Sequence, residues 1–309
     1  MHLDVSESKE NAPIALENPN ALKPFEFFLD LYTLPKYTEL DPSFLMAITF
    51  PLFFGFMLGD VGYGIVTLLL FLFLRSKTKG VMKSLSGVLV WGSIATIIFG
   101  VVFGEVFGLE VIEHPLLNRV HDPSLVLGVA VFVGFLHINL GLLLGFYNEL
   151  KSHGFKHAFL AKLSWIGLEI GLILLAVDAL GFAQIGVIPG AVISLVSVVM
   201  LYLGEGAKGL VELPSIFSNM LSYGRLFAVG LSSVSIALVV NEMAAKMFEG
   251  GLIGIGIGII ILVIGHVLNI ALGLIGPSLH SIRLHYVEFF SKFFHGGGAK
   301  YKPFGQIQN

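Results

Sequence analysis

The chain has 309 residues, of which 55% are hydrophobic and 13% charged, and its mean hydropathy is +0.88. A soluble domain carries about 25% charged residues, so this composition excludes a soluble globular protein and predicts a polytopic membrane protein. The absence of cysteine excludes disulfides, a thiol nucleophile and a thiolate metal site. The formal net charge of −3 says little about partners because the charged residues lie in the loops.

The first 42 residues are polar and contain five prolines and one short amphipathic run at 24–32. This segment is too short to fold alone, and we interpret residues 1–42 as a cytoplasmic linker or interfacial segment. Residues 43–309 then form the predicted membrane domain.

Eight apolar segments follow in that domain, and each is a predicted membrane helix. They lie at about 44–58, 61–75, 84–107, 124–147, 159–181, 185–203, 213–247 and 252–292. The predicted fold class is therefore an all-α polytopic membrane protein with eight transmembrane helices. The last two are long: residues 252–292 would form a helix of about 60 Å, against a hydrocarbon core of about 30 Å. We expect them to tilt strongly, to kink at Pro277 or to project into the cytoplasm.

The distribution of Lys and Arg predicts the orientation of these segments. With eight spans, 14 of the 18 Lys and Arg residues fall on the side that also holds both termini. Only Arg119 and Lys246 fall on the opposite side. The sequence therefore predicts a multi-pass protein of the cell membrane with both termini in the cytoplasm.

One arginine, Arg225, lies in the middle of the seventh segment. A guanidinium stays charged at any accessible pH, and its placement at membrane depth is costly, so a functional role is the first interpretation. The alternatives are an ion pair with Glu169 or a side chain that extends to the interface. About twelve residues, or roughly 18 Å of helix, separate Arg225 from either end of the segment, which disfavours the second alternative.

Small and polar side chains share the face of Arg225, namely Ser218, Ser222 and Ser232. They indicate either ordinary close helix packing or a surface past which a polar group moves. The eighth segment carries a second arginine, Arg283, which either faces a shared polar seam or extends to the cytoplasmic interface. Its histidines lack the paired spacing of a zinc site, and no metal site is predicted.

Carboxylates at membrane depth or at the interface often line hydrated ion paths. Asp60, Glu105, Glu169, Asp178 and Glu212 are the candidates, with a turn cap (Asp60) and an ion-pair partner (Glu169) as structural alternatives. Glycine pairs such as Gly55/Gly59, Gly100/Gly104 and Gly141/Gly145 predict close helix packing. The sequence has no Walker motif, catalytic triad or nucleic-acid-binding patch, so no cofactor and no nucleic-acid partner are predicted.

Four separated motifs, in order, resemble subunit I of archaeal A-type ATP synthases, the counterpart of subunit a in vacuolar ATPases. They are NPNALKPFEFFLDLYTLPKY at 18–37, FGFMLGDVGYG at 54–64, LSYGRLFAVGLSS at 221–233 and LHSIRLHYVEFFSKFFHGGGAKYKPF at 279–304. The resemblance covers residues 18–304. Members of this family also have a large N-terminal cytoplasmic domain that binds peripheral stalks. We expect this chain to correspond to the membrane half alone.

The resemblance implies rotary ion translocation, in which a ring of proteolipid subunits, each with one membrane carboxylate, turns against the last two helices. Arg225 would be the essential arginine and Arg283 its supporting arginine. The partners implied are the proteolipid ring, the peripheral stalks through the N-terminal domain, the central stalk and ATPase head indirectly, and the lipid bilayer. ATP turnover would belong to partner subunits, so this chain is not expected to be an enzyme.

Two offset half-channels for H⁺ or Na⁺ are also implied. The expected inner residues are Glu212, Ser218, Asn219, Ser222, His280 and His285. The expected outer residues are Asp60, Glu105, Glu169, Ser232, Ser233, His266 and Asn269. Ser233 departs from the vacuolar pattern, which has a histidine there. A secondary transporter that binds an anionic substrate at Arg225 is the alternative function, and helices broken at a central binding site would favour it.

Overall fold

A computed structural model describes residues 13–37, 39–179 and 187–301 of the chain. Twelve α-helices occur in this described part. They are α1 (Lys23–Tyr32), α2 (Ser43–Leu58), α3 (Val61–Lys77), α4 (Gly80–Phe103), α5 (Pro123–His153), α6 (Phe155–Ala158), α7 (Ser164–Ala179), α8 (Val187–Glu205), α9 (Ala207–Val211), α10 (Pro214–Ser222), α11 (Gly224–Phe248) and α12 (Gly251–Arg283). One antiparallel hairpin joins β1 (Glu105–Val106) to β2 (Leu109–Glu110).

The helices belong to two compact units. Unit 1 comprises residues 1–130, 224–285 and 296–309, and unit 2 comprises residues 131–223 and 286–295. Each unit is described separately below.

Six helical stretches in the described ranges are long and apolar enough to cross a membrane. They are Gly80–Phe103, Pro123–His153, Phe155–Ala179, Val187–Glu205, Pro214–Phe248 and Gly251–Lys292. The two helices that precede them are shorter, with 16 residues in α2 and 17 in α3. Sixteen residues span about 24 Å, less than the roughly 30 Å of a hydrocarbon core. The all-helical fold is confirmed by this arrangement, whereas the predicted total of eight spans is not.

Close backbone contacts hold α2, α3 and α4 of unit 1 together. A Cβ atom added at Gly55 of α2 would lie 2.6 Å from the carbonyl carbon of Ala95 in α4. A Cβ atom at Gly100 of α4 would lie 2.3 Å from the backbone nitrogen of Val61 in α3. Only glycine allows such an approach, which explains two of the glycine pairs in the sequence. The amphipathic run near the N-terminus forms α1 and buries Phe25, Phe28 and Leu29.

Helix α4 ends earlier than the sequence predicts. The apolar segment extends to residue 107, but Gly104 adopts φ +73, which ends the helix at Phe103. The following hairpin returns the chain toward α5. Residues 105–107 therefore belong to the hairpin rather than to a continuation of the helix.

The two long predicted helices contain irregular turns. Residues 213–247 form α10 and α11, separated by Tyr223, whose backbone N–H donates to the carbonyl of Met220 at 3.1 Å. Tyr223 keeps right-handed helical angles (φ −74, ψ −15), so the backbone tightens there without unwinding. The last helix is α-helical through Arg283 with Pro277 inside it, and a π-helical turn (Leu284–Phe289) follows.

Unit 2 is built on the packing of α7 against α8. A Cβ atom at Gly171 would lie 2.8 Å from the backbone nitrogen of Ser194, so these helices also meet at a glycine. A π-helical turn (Phe159–Leu163) precedes α7. The predicted end of the fifth span at 181 and start of the sixth at 185 lie outside the described residues.

Candidate functional site

The two arginines of the predicted site lie near the ends of α11 and α12, two helices that pack against each other in unit 1. Arg225 is the second residue of α11 and is half-buried, whereas Arg283 is the last residue of α12 and is exposed. His280 lies one turn before Arg283 and within electrostatic range of both guanidinium groups. The structure therefore brings together three of the predicted residues, all of them cationic or able to become so.

A hollow of ≈340 Å³ lies between α11 and α12. Its polar lining consists of four predicted residues, Ser232, Ser233, Asn269 and His280. Gly273 and Gly276 line the α12 side and leave room next to the small residues of α11. The sequence assigned His280 to the inner set and the other three to the outer set, and unit 1 places all four around one cavity.

A chain of hydrogen bonds leads away from this hollow. Asn269 Nδ2 donates to the Ser233 carbonyl at 2.9 Å and to the Tyr63 hydroxyl at 2.9 Å. The Tyr63 hydroxyl lies 2.8 Å from His266 Nδ1, and His266 Nε2 lies 3.1 Å from Asn241 Oδ1. The chain joins residues of α3, α11 and α12. Asn241 Nδ2 then donates to the Phe107 carbonyl at 2.8 Å, at the turn of the β-hairpin.

The chemistry of the groups fixes the direction of these bonds. The Phe107 carbonyl can only accept, so the amide nitrogen of Asn241 faces it and the amide oxygen faces His266. His266 Nε2 must then carry the proton, which leaves Nδ1 as an acceptor for the Tyr63 hydroxyl. The oxygen of that hydroxyl accepts in turn from Asn269. Every donor is matched, and the chain has one consistent direction with a neutral imidazole.

Asp60 lies beside the end of this chain and is almost fully buried (2% exposed). Its carboxylate caps α3 by accepting from Tyr63 N at 2.9 Å, and it also accepts from Phe107 N at 2.9 Å and Gly108 N at 2.7 Å. The bonds from Phe107 and Gly108 tie the α2–α3 junction to the hairpin. The turn cap that the sequence allowed as an alternative is thus present.

Glu105 forms a buried ion pair with Arg119. The Arg119 side chain is 1% exposed and donates to both oxygens of Glu105 and to the carbonyls of Met57, Gly59 and Gly230. Burial raises the pKa of the Glu105 carboxyl, and the adjacent Arg119 cation opposes that rise. The sequence placed Arg119 as a charge in an outer loop, whereas the structure makes it the junction of α2, β1 and α11.

His285 is fully buried in unit 1. Its Nε2 lies 2.6 Å from the Thr49 hydroxyl, and its Nδ1 lies 2.7 Å from the Ser281 carbonyl. The ring also packs on Phe50 and Phe53. His285 is the second residue of the π-helical turn (Leu284–Phe289) that follows Arg283. Its contacts join α2 to the end of the last helix.

Unit 2 contains a polar cavity of ≈350 Å³. Two predicted inner residues, Glu212 and Asn219, line it. The other charged residues of its lining are Glu149, Lys162, Glu205, Lys208 and Lys292. Lys162 pairs with Glu205 at 3.5 Å, so the cavity contains charges of both signs. Ser218 and Ser222, the remaining inner candidates of this unit, do not line the cavity.

Glu169 of α7 is 2% exposed and lies in unit 2. Asn139 Nδ2 donates to its carboxylate at 2.7 Å, and Lys292 lies within electrostatic range. Lys292 therefore interacts electrostatically with Glu169, and the same lysine lines the polar cavity of unit 2. The sequence grouped Glu169 with Asp60 and Glu105, and the three carboxylates have separate hydrogen-bond partners.

Several residues of these networks were missed at the level of sequence. Tyr63 and Asn241 each interrupt an apolar segment with a polar group, a signal that could have identified them. Asn139 is a similar case on α5. Lys292 was assigned to the C-terminal cytoplasmic segment, and its half-burial depends on packing that no local pattern reports.

The sequence matches the V-type ATPase 116kDa subunit family over residues 1–102 and 213–306. A-type ATP synthase subunit I of Archaeoglobus fulgidus is 37% identical over 373 residues, covering 99% of this chain and 55% of that protein. A-type ATP synthase subunit I of Methanocaldococcus jannaschii is 33% identical over 344 residues, covering 96% of this chain and 50% of that protein. V-type ATP synthase subunit I of Borreliella burgdorferi is 29% identical over 315 residues, covering 90% of this chain and 51% of that protein.

This chain therefore spans about half the length of the curated relatives that it matches. Most of the family match falls in the segments that build unit 1, which holds both arginines and the hydrogen-bonded chain. The family predicted from the four motifs is confirmed. The chain belongs to the V-type ATPase 116kDa subunit family.

Proposed function

We propose that this chain is the membrane stator of a rotary A/V-type ATPase and moves H⁺ or Na⁺ past a proteolipid ring. The observation that carries the proposal is the grouping of Arg225, His280 and Arg283 at the end of two packed helices, next to a hollow that contains the polar groups of Ser232, Ser233 and Asn269. A fixed cation at that position favours the ionised form of a passing carboxylate and so releases its bound ion. It also opposes the direct passage of a cation across the protein.

The outer half-channel of the proposal runs along the hydrogen-bonded chain of unit 1. Ser233 and Asn269 line the hollow, and His266 continues the chain to Asn241 and the hairpin. Tyr63 and His266 can pass a proton between them by exchange of hydrogen bonds, because each can both donate and accept, and the amides of Asn241 and Asn269 position them. Asp60 and Glu105 lie at its outer end, where their negative charges favour cations. They remain candidates for the entrance, although both also serve structural contacts.

The inner half-channel of the proposal includes the cavity of unit 2. Glu212 and Asn219 supply a charged and a polar wall there, and Lys292 lines the same cavity. Ser218 and Ser222 extend the polar surface along α10. His280 and His285, which belong to unit 1, are the other residues proposed for the inner side.

The partners belong to the same proposal. The ring of carboxylate-bearing subunits would face α11 and α12, whose apolar outer positions such as Val263, Val267 and Leu279 are exposed in this structure. Peripheral stalks would bind the N-terminal cytoplasmic domain of the family. Nucleotide turnover would occur in the ATPase head, so this chain is proposed to be non-catalytic, in a membrane with both termini in the cytoplasm.

The decisive experiment replaces Arg225 by alanine in the assembled enzyme. Reconstituted complexes are assayed for ATP-driven ion uptake and, in parallel, for ATP hydrolysis and subunit composition. We expect an intact complex with ion uptake reduced to background. Near-normal uptake would refute the stator mechanism. Loss of ATP-independent substrate exchange in Arg225→Ala, with ring assembly absent from the wild type, would instead favour the secondary transporter.

A further inference from the structure

Two histidines and one carboxylate meet at the junction of α5 and α6 in unit 2. Glu149, His153 and His157 each offer one ligand atom, and these atoms all lie within 4.8 Å of one another. His153 Nδ1 lies 2.7 Å from Glu149 Oε2, and His157 Nδ1 lies 3.4 Å from the same oxygen. Glu149 and His153 are four residues apart on one face of α5, and His157 follows four residues later on α6.

The chain geometry holds this face together across a break in the helix. Gly154 separates α5 from α6 and adopts φ +84, a conformation that strains any residue with a Cβ atom. Aromatic contacts continue across the break: the Phe155 ring lies 6.3 Å from Phe146 and 5.9 Å from Phe159. His153 and His157 thus keep their rings 5.2 Å apart although they belong to different helices.

We propose that Glu149, His153 and His157 bind a divalent transition-metal cation of the Zn²⁺ class. Zinc binds imidazole nitrogen and carboxylate oxygen at about 2.0–2.2 Å, so two ligands of a tetrahedral ion lie about 3.4 Å apart. The separation between Glu149 and His157 already has this value. The separation between Glu149 and His153 must widen by about 0.7 Å, which a rotation of an exposed side chain provides. Water would occupy the fourth position.

The surroundings favour this class of ion. Two imidazoles and one carboxylate select Zn²⁺, Ni²⁺ or Cu²⁺ over Mg²⁺ and Ca²⁺, which prefer oxygen ligands. The side chains are accessible from solvent, with 63% of His153 and 46% of His157 exposed. The nearest lysine on α5, Lys151, directs its ammonium group to the Tyr147 ring at 4.3 Å. A bound ion would lock the angle between α5 and α6.

The test uses the purified chain in detergent, without a polyhistidine tag. Zn²⁺ binding is measured by equilibrium dialysis with elemental analysis, and Co²⁺ is used as a spectroscopic probe, since a tetrahedral Co²⁺ site gives strong visible absorption. We expect about one Zn²⁺ per chain, a Co²⁺ spectrum that Zn²⁺ abolishes, and no competition by Mg²⁺. Replacing one ligand should weaken binding at least about tenfold, because even the loss of a residue that only hydrogen-bonds to a metal ligand lowers metal affinity by about that factor.

The variants are His153→Ala, His157→Ala and Glu149→Gln, each checked for folding by size-exclusion chromatography and thermal unfolding. His121→Ala is the matched control, because His121 is also exposed and lies 3.4 Å from a carboxylate, that of Glu110. The control should bind Zn²⁺ as the wild type does. Absence of stoichiometric binding in the wild type, equal binding in the three variants, or an equal loss in the control would each overturn the proposal.

Discussion

The hydroxyl of Tyr63 lies 2.8 Å from Nδ1 of His266, a contact that joins the first turn of α3 to the middle of α12. Through Asn269 and Asn241, this single bond connects the hollow beside the arginines with the hairpin that follows α4. A structural link and a candidate path for protons thus run through the same atoms.

Replacing Tyr63 by phenylalanine should interrupt that path while keeping the ring and its edge contact with Phe107. Asn269 and His266 each lose a partner in a buried site, a change that costs about 1–3 kcal/mol. We expect ATP-driven ion uptake by the reconstituted complex to fall about tenfold or more. Tyr202→Phe, at an exposed tyrosine of α8, is the control and should leave uptake unchanged. Full uptake in Tyr63→Phe would remove the chain from the outer half-channel.

Arg225→Lys should impair coupled transport severely. Lysine keeps a positive charge, but its side chain is shorter, it lacks the planar fork of donors, and it can lose its proton when desolvated. The assay compares ion uptake with ATP hydrolysis in the same preparation. We expect uptake close to that of Arg225→Ala. If lysine instead restores most of the uptake, positive charge alone is sufficient and the geometry of the guanidinium is not required.

Loss of one partner of the buried Glu105–Arg119 pair should destabilise the protein more than loss of both partners. Removal of one partner leaves an uncompensated buried charge, which costs about 3–5 kcal/mol, whereas replacement of both by apolar residues often costs little. Glu105→Leu and Arg119→Met should each lower the unfolding temperature in detergent. The double variant should unfold at a higher temperature than either single variant. Additive destabilisation in the double variant would show that the two side chains act independently.

Gly100→Ala should destabilise unit 1 by forcing α4 away from α3. The new Cβ atom would lie 2.3 Å from the Val61 nitrogen, and this backbone atom cannot rotate away. Overpacking of this kind costs about 1–3 kcal/mol. Gly128→Ala on α5 is the control, because nothing lies within 4 Å of its Cβ position. Thermal unfolding of the two variants tests the prediction, which fails if both unfold at the same temperature.

Asn219→Leu should reduce ion uptake by placing an apolar side chain in the polar cavity of unit 2. The cavity then loses a polar group that stabilises water or a cation, and an increase of 1.4 kcal/mol in the barrier lowers the rate about tenfold. Asn219→Ser keeps a small polar group at the same position and serves as the control. Equal uptake in the two variants would separate this cavity from the ion path.

Much of this architecture could be predicted from hydrophobic patterning, and the four motifs were sufficient to predict the family. The patterns located Ser233, His266 and Asn269, because polar groups within apolar segments are rare and costly. They did not report Arg119 as buried, since a residue in a polar loop gives no sign of the three carbonyl groups that it contacts. The predicted length of α4 was wrong for a related reason. The end of α4 depends on the conformation of Gly104, which hydrophobicity does not describe.

The bonds made by Asp60 impose an order on the synthesis of this protein. Its partners Phe107 and Gly108 lie 47 and 48 residues further along the chain, so two of its three backbone bonds cannot form until that segment has left the ribosome. The partner at Gly230 completes the contacts of Arg119 only 111 residues after it. The junction between α2 and α3 therefore cannot reach its final form during its own insertion. The contacts of this corner are therefore completed only after α11 has been synthesised.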